Sequence, residues 1–238
     1  MPSFNKNLQM VTEKSLRFEF DLFANKYDLW YESDKGQMYD RLEKKVISRY
    51  LLPSAKGKKL LEVGCGTGHW SQFFSEYGFE VTGVDISERM INIAGNKNIP
   101  NASFKVGDGH CLPFEEGIFD VTAAITTLEF VRNAEVVVQE MVRCTRKLGG
   151  RLLIGVLNEL ARLNRNRKQR LESPYAKARL FSPSQLKQLL VRYGEACVVT
   201  AGFIPRQKHL LPLSPLIGTV GRLLHIPYGA FIAAEVRL

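Results

Sequence analysis

Cysteine is scarce, four in 238 residues, and Cys65, Cys111, Cys144 and Cys197 include no C-x-x-C pair. A disulfide framework is thereby excluded, and a reduced, cytoplasmic setting is expected. The first ten residues carry Asn, Lys and Gln and lack the apolar run of a secretory leader. Long hydrophobic runs are missing too. The most apolar stretch, Leu210 to Val236, is interrupted by Pro212, Pro215, Arg222 and Pro227, so no membrane span of about 20 residues is expected. Acidic residues are also short, 24 against 33 Lys and Arg, which leaves a net charge of +9.

What remains is globular: 45% hydrophobic and 24% charged residues exclude a disordered, collagenous or fibrous chain. At roughly 100–200 residues per domain the length fits one large domain with appendages, and its core needs no disulfide or metal staple. The basic excess is uneven. Between Ala161 and Leu180 stand Arg162, Arg165, Arg167, Lys168, Arg170, Lys177 and Arg179 against Glu172 alone. Such a run reads as a wetted helix or loop, or as a contact for nucleic acid, an anionic membrane or an acidic small molecule.

Residues Glu13 to Tyr31 and Gly36 to Leu52 have helical texture; in the second, Leu42, Val46, Ile47 and Tyr50 recur at helical spacing before Pro53. From Lys59 the pattern changes to strands alternating with helices. Strands are expected at Lys59 to Val63, Glu80 to Val84, Ser103 to Val106, Phe119 to Thr126 and Arg151 to Val156. Helices are expected at His69 to Tyr77, Ser87 to Ala94 and Ala134 to Lys147. Later, Ser182 to Val191 reads as a helix, and Ala196 to Thr200 and Ala230 to Val236 as strands. Alternation of this kind predicts an α/β, doubly wound, mostly parallel sheet with helices on both faces. Ligands of such sheets bind at the carboxyl ends of the strands. Gly64 to Gly68, Asp85, Asp108 and the residues around Thr126 should therefore share one rim.

Each of these carries a chemical reading. Glu62-Val63-Gly64-Cys65-Gly66-Thr67-Gly68 joins a strand to a helix, where backbone N–H groups can approach an anionic ligand. It is not a dinucleotide fingerprint, because His69 stands where the third glycine would fall, and no G-x-x-x-x-G-K-[ST] loop occurs. Asp85 follows Gly68 by 17 residues; an acid so placed accepts from both hydroxyls of a ribose, although a lone Asp also caps helices. Asp108 lies between Gly107 and Gly109. It can accept from an adenine amine, or form an ordinary Asp-Gly turn.

In this order and spacing the motifs resemble the class I S-adenosylmethionine-dependent methyltransferases, within the group that includes quinone-biosynthesis-like small-molecule enzymes. The matching stretches are Leu60 to Gly68, Val84 to Ser87, Gly107 to Gly109, Leu112-Pro113-Phe114, Phe119-Asp120, Leu128 to Val131 and Gly149 to Leu152. The resemblance implies a seven-stranded, three-layer α/β/α fold with its last strand antiparallel. It implies S-adenosyl-L-methionine as cofactor and S-adenosyl-L-homocysteine as product. The methionine moiety would lie near Gly64 to Gly68 (Gly64, Cys65, Gly66 and Gly68), the ribose on Asp85 and the adenine near Ile86, Asp108 and Gly109, with residues around Thr126 at the sulfonium end. Glu62 and Met90 would also bind the cofactor, and His110 would pack beside the adenine or reach the substrate. Tyr27-Asp28-Leu29-Trp30-Tyr31 looks like the aromatic segment that closes over the cofactor in such enzymes; Tyr27 and Trp30 would shield it, or be the buried stripe of a helix. The domains implied are an N-terminal helical cap, 1–52, and a methyltransferase domain, 53–238, with substrate-side lids around 158–182 and 205–228.

Methyl transfer is an in-line displacement whose rate comes largely from alignment. A base matters only where the acceptor must lose a proton. Candidates are His110 and Glu129, with His209 and His225 further on; each also has an ordinary structural reading. The expected partner is a small molecule, anionic or lipophilic, with Leu210 to Leu224 as a greasy entrance. The competing expectations are an RNA or DNA methyltransferase using the 162–179 segment, and a non-catalytic binder of the cofactor. An N-P-P-[YF]-type motif is absent after the fourth strand, where Thr126-Thr127-Leu128-Glu129 stands. Metal ligation and oligomeric state leave no signal.

Overall fold

The computed structural model describes residues 21, 24–25, 27–52, 54–169, 174–203, 221 and 226–238. Most of the 13–31 helix, most of the 205–228 lid and of the 210–224 entrance, and Arg170, Glu172, His209 and His225 therefore lie outside the described residues.

The strands are β1 (Lys59–Val63), β2 (Glu80–Asp85), β3 (Ala102–Val106), β4 (Val121–Ile125), β5 (Arg151–Leu157), β6 (Glu195–Ala201) and β7 (Phe231–Arg237). They form one seven-stranded sheet in the order β3-β2-β1-β4-β5-β7-β6. The pairs among the first five are parallel, whereas β7 runs antiparallel to both neighbours. The sheet order reverses between β1 and β4, and it is there that a crevice opens at the carboxyl ends.

The helices follow from pattern and caps. They are α1 (Leu29–Glu32), α2 (Asp34–Ile47), α3 (His69–Tyr77), α4 (Glu88–Asn96), α5 (Ala134–Cys144), α6 (Arg162–Lys168) and α7 (Pro183–Leu190). Ser87 caps α4 by accepting from Met90 N, Asn133 caps α5, and Ser182 with Gln185 forms a capping box on α7. Successive strand residues feed opposite faces. Leu61, Ala124 and Ile154 pack under Val137, Val138 and Met141 of α5 and Leu186 and Leu190 of α7. Leu60, Ala123 and Leu153 face Val46 and Ile47 of α2 and Trp70 and Phe74 of α3. Buried aliphatic and aromatic side chains of this size stabilise by about 1.5–3 kcal/mol each, so both layers hold the sheet.

Most strand ends differ from the sequence reading by a residue or two; two element ends and the basic run differ for a clear physical reason. Helix α5 stops at Cys144 rather than Lys147, because Thr145 turns extended and makes a parallel bridge with Phe119. Strand β4 ends at Ile125, because Thr126 takes φ 51°. The basic run is not simply wetted surface. Asn164 of α6 is buried, its Nδ2 donating to Asn158 O and Ala230 O, and Arg167 lies 4.7, 5.8 and 5.4 Å from the ring centres of Trp30, Tyr39 and Tyr175.

Candidate active site

Four strand ends build the rim. After β1 the chain turns at Gly64, φ 72°, Gly66, φ 52°, and Gly68, φ 80°, a left-handed path that a side-chain-bearing residue takes only at a cost. Gly64 N and Cys65 N donate to Val84 O, which hangs the turn on the end of β2. Close approach also demands the first glycine: a Cβ on Gly64 would stand 2.3 Å from Thr127 Cγ2. Thr127 is fixed in turn, since its Oγ1 donates to Val63 O at 3.1 Å. Around Gly66 the space is open: among the described residues the one heavy atom within 4 Å of where a Cβ would stand is Tyr27 Cε1, at 4.0 Å. Cys65 is buried beneath the turn.

Asp85, at the tip of β2, is oriented by backbone. Its Oδ2 accepts from Gly66 N and its Oδ1 from Ser87 N, both at 2.9 Å. Each oxygen keeps lone-pair capacity for one more donor. Burial pushes this carboxyl up, against the pull of the two N–H groups. Ile86 is half-buried beside it and Met90, one turn into α4, is buried. The third strand end carries Asp108, whose Oδ1 accepts from His110 N at 2.9 Å and His110 Nδ1 at 2.6 Å. Gly109 sits against Val63. His110 Nε2 accepts from Asn133 N at 3.2 Å. Both ring nitrogens are thus engaged, the proton resting on Nδ1, and the imidazole straps the Asp108 turn to the start of α5. The His110 contact holds the Asp108 carboxyl below its usual range.

The fourth strand end is Thr126, a β-branched residue at positive φ, a conformation that persists only where the surroundings impose it. Its N–H donates to Gly155 O at 2.7 Å, its hydroxyl donates to Ile125 O at 2.8 Å, and its side chain lies beside the Tyr27 hydroxyl, as does Tyr31. Tyr27 therefore spans from the glycine turn to β4. Two contacts clasp the same segment to the rim: Asp28 accepts from Thr67 Oγ1 at 2.6 Å and pairs with Lys97 at 2.6 Å. Tyr31 stacks on His69 with ring centres 3.6 Å apart, and His69 Nε2 lies 2.7 Å from Asp40 Oδ1.

Two expected contacts sit elsewhere. Trp30 packs against both Arg167, 4.7 Å from its ring centre, and Tyr39, with ring centres 6.5 Å apart. Glu62 is 2% exposed inside β1 and accepts from Ser71 Oγ at 2.5 Å, bracing α3 beneath the turn. Burial pushes its carboxyl up to about 8. Protonation thus favours the fold. With an unfolded value of about 4.3, this stabilisation is whole below that pH and is lost as pH rises through about 8. Glu62→Gln, permanently neutral, is expected to match the parent melting temperature near pH 4.5 and exceed it increasingly up to pH 8–9. A constant difference across that range would show that Glu62 does not titrate there.

The sequence reading missed Thr127, the Asp28 clasp, Glu43 and the packing of Arg167. No group of three or more His, Cys, Asp or Glu suited to a metal occurs among the described residues.

A glycine turn after β1, an acid after β2 and an Asp-Gly pair after β3, on a sheet reversing between β1 and β4, define a class I, Rossmann-like methyltransferase fold. The residues fit an adenosyl methyl donor: the space at Gly66 and the spare acceptor capacity of Asp85 lie side by side. A family model described as a methyltransferase domain matches residues 35–198, and the chain belongs to that family. It is an S-adenosylmethionine-dependent methyltransferase.

Among its relatives, an uncharacterized protein of Methanocaldococcus jannaschii is 29% identical over 178 residues, 74% of this chain and 80% of that one. The demethylmenaquinone methyltransferase of Lactococcus lactis is 30% identical over 157 residues, 63% of this chain, and the match spans only 61% of that enzyme. A solved methyltransferase of Thermotoga maritima, described as a possible histamine N-methyltransferase, shares the fold at TM-score 0.73 and 24% identity, over 93% of this chain and 99% of that one.

Proposed function

We propose that the protein transfers a methyl group from S-adenosyl-L-methionine to a small molecule enclosed between the N-terminal cap and the segment after β5. The observation that carries this reading is the placement of Tyr27. It touches the glycine turn on one side and Thr126 on the other, so the acceptor side of the donor site is roofed by the chain itself. A duplex or folded RNA needs an open basic face. Arg162, Arg165, Lys168, Lys177 and Arg179 are exposed, so RNA stays an arm of the test, whereas Arg167 packs against rings beside the cap. The small-molecule relatives support the same reading. Four free cysteines support a reducing, cytoplasmic setting, and no helix among the described residues is long and apolar enough to cross a membrane.

In such a site Gly64 to Gly68 and Asp85 hold and orient the donor, which supplies an electrophilic methyl group. Tyr27 and the cap exclude water, so the activated methyl meets only the acceptor. Alignment of the two supplies most of the rate. The test is calorimetry with S-adenosyl-L-homocysteine, followed by radiolabelled methyl counting on a metabolite pool and on total RNA. Binding with label in the small-molecule fraction is expected; label confined to RNA sinks the proposal.

A further inference from the structure

Beyond the donor-binding rim lies a set of side chains with unbalanced charge. Glu129, 1% exposed, follows β4 at a distance of three residues from Thr126. Its Oε1 accepts from Leu157 N at 2.5 Å, at the end of β5, while its Oε2 is buried and has no hydrogen-bond partner among the described residues. Glu43 of α2 lies close enough to Glu129 and Arg167 to feel both charges. Tyr175 feels Glu43, Glu129 and Arg167. Its ring is 5.8 Å from that of Phe130, and it acts in turn on Tyr27 and Tyr31. The cluster is thus continuous with Tyr27 and, through it, with Thr126 and the glycine turn.

Glu43 also feels Asp40 and Lys44, so three acids here face two cations, Lys44 and Arg167, and Arg167 is itself held by three rings. A buried carboxylate oxygen without a donor is unfavourable. What the cluster lacks is a donor carrying positive charge, in a place walled by tyrosine and phenylalanine faces that attract cations. An anionic acceptor would add to the excess of acids. A neutral hydroxyl would supply the donor and leave the charge uncompensated.

We propose that this cluster is the acceptor subsite and that the acceptor is a primary or secondary amine, entering as its ammonium ion with an N–H directed at Glu129 Oε2. The proposal rests on the small-molecule reading above and specifies its substrate class. Glu129 is then a catalytic residue. Its Oε2 takes one proton as the N–H bond breaks and an O–H bond forms. The freed lone pair makes the N–C bond, the C–S bond breaks, and its electron pair returns to sulfur. The products are an N-methylated ammonium ion and a thioether. Burial, which holds the Glu129 carboxyl up to about 8, brings its proton affinity toward that of an amine.

The experiment uses the full chain saturated with S-adenosyl-L-homocysteine. Aromatic and aliphatic primary amines, phenethylamine among them, are titrated against their hydroxyl isosteres, such as 2-phenylethanol. At least one amine is expected to bind about tenfold tighter than its alcohol and to accept label from S-adenosyl-L-methionine. Glu129→Gln is expected to erase that preference while homocysteine-product affinity stays within about twofold. Amines that bind no better than alcohols overturn the proposal, as does a preference that survives Glu129→Gln. A loss of S-adenosyl-L-homocysteine binding in Glu129→Gln also overturns it, since Glu129 would then serve the donor. If Glu129→Gln melts early, Glu43→Gln replaces it: severalfold weaker amine binding supports the subsite, and unchanged binding overturns it. Failure of the parent to bind S-adenosyl-L-homocysteine at all is a separate result, which removes the methyltransferase reading itself.

Discussion

Asp85→Ala is expected to weaken S-adenosyl-L-homocysteine binding by about 100-fold and to lower the melting temperature, since Gly66 N and Ser87 N lose their acceptor. The size follows from two hydrogen bonds to a charged acceptor, each worth about 1.5–3 kcal/mol, of which about 3 kcal/mol in total is a factor of 100. The backbone has already set the geometry, since Gly66 N and Ser87 N each occupy one oxygen at 2.9 Å and leave the outer lone pairs facing the site. The same contacts make Asp85→Asn a severe change. Whichever way an amide is turned, its NH2 meets a backbone N–H of Gly66 or Ser87, and two donors face each other. Asn is therefore expected to bind no better than Ala, an inversion of the usual order of conservative and drastic substitutions. Calorimetry at neutral pH decides it; affinity within about twofold of the parent in both variants would remove the ribose from Asp85.

That such a residue stood out in the sequence has a local cause. Gly64, Gly66, Gly68 and Asp85 announce themselves because a positive-φ turn and an acid at a strand end are rare combinations, each fixed by a few neighbouring residues. The β-strands were legible for a similar reason: buried parallel strands are short apolar runs bounded by turn residues. The acceptor side is assembled from residues far apart in the chain, Tyr27, Glu43, Glu129, Arg167 and Tyr175, and no local pattern announces that. One signal was present. Glu43 stands four residues after Tyr39 and three before Val46, on the stripe of α2 that faces inward, where an acid is out of place unless it has work there. Arg167 offered no such signal, since a cation within a basic run looks like its wetted neighbours until rings from α1, α2 and the 175 turn close on it. The end of β4 was misplaced by one residue because Thr favours strands, and only tertiary contacts hold Thr126 at φ 51°.

Gly64→Ala is expected to destabilise the protein by about 3 kcal/mol and to abolish measurable donor binding. Two causes add. The left-handed backbone, φ 72°, costs a side-chain-bearing residue about 1–2 kcal/mol, and overpacking costs a further 1–3 kcal/mol or so. The second cost arises because the new methyl would meet Thr127 Cγ2 at 2.3 Å and Oγ1 at 2.4 Å. Thr127 is poorly placed to yield: its hydroxyl is bonded to Val63 O, and its Cβ alone would stay 2.9 Å from the methyl. The two causes separate by a double-mutant cycle. Thr127→Gly clears the whole side chain, so the pair Gly64→Ala with Thr127→Gly is expected to recover the steric part and retain the backbone part. That predicts a favourable coupling of about 1–2 kcal/mol in denaturant unfolding. Donor binding should return only in part, because the N–H groups of the turn still lean away from their native directions. Strict additivity of the two single changes would mean that the clash is relieved by moving the turn itself. Gly64 would then be required for its backbone angle alone.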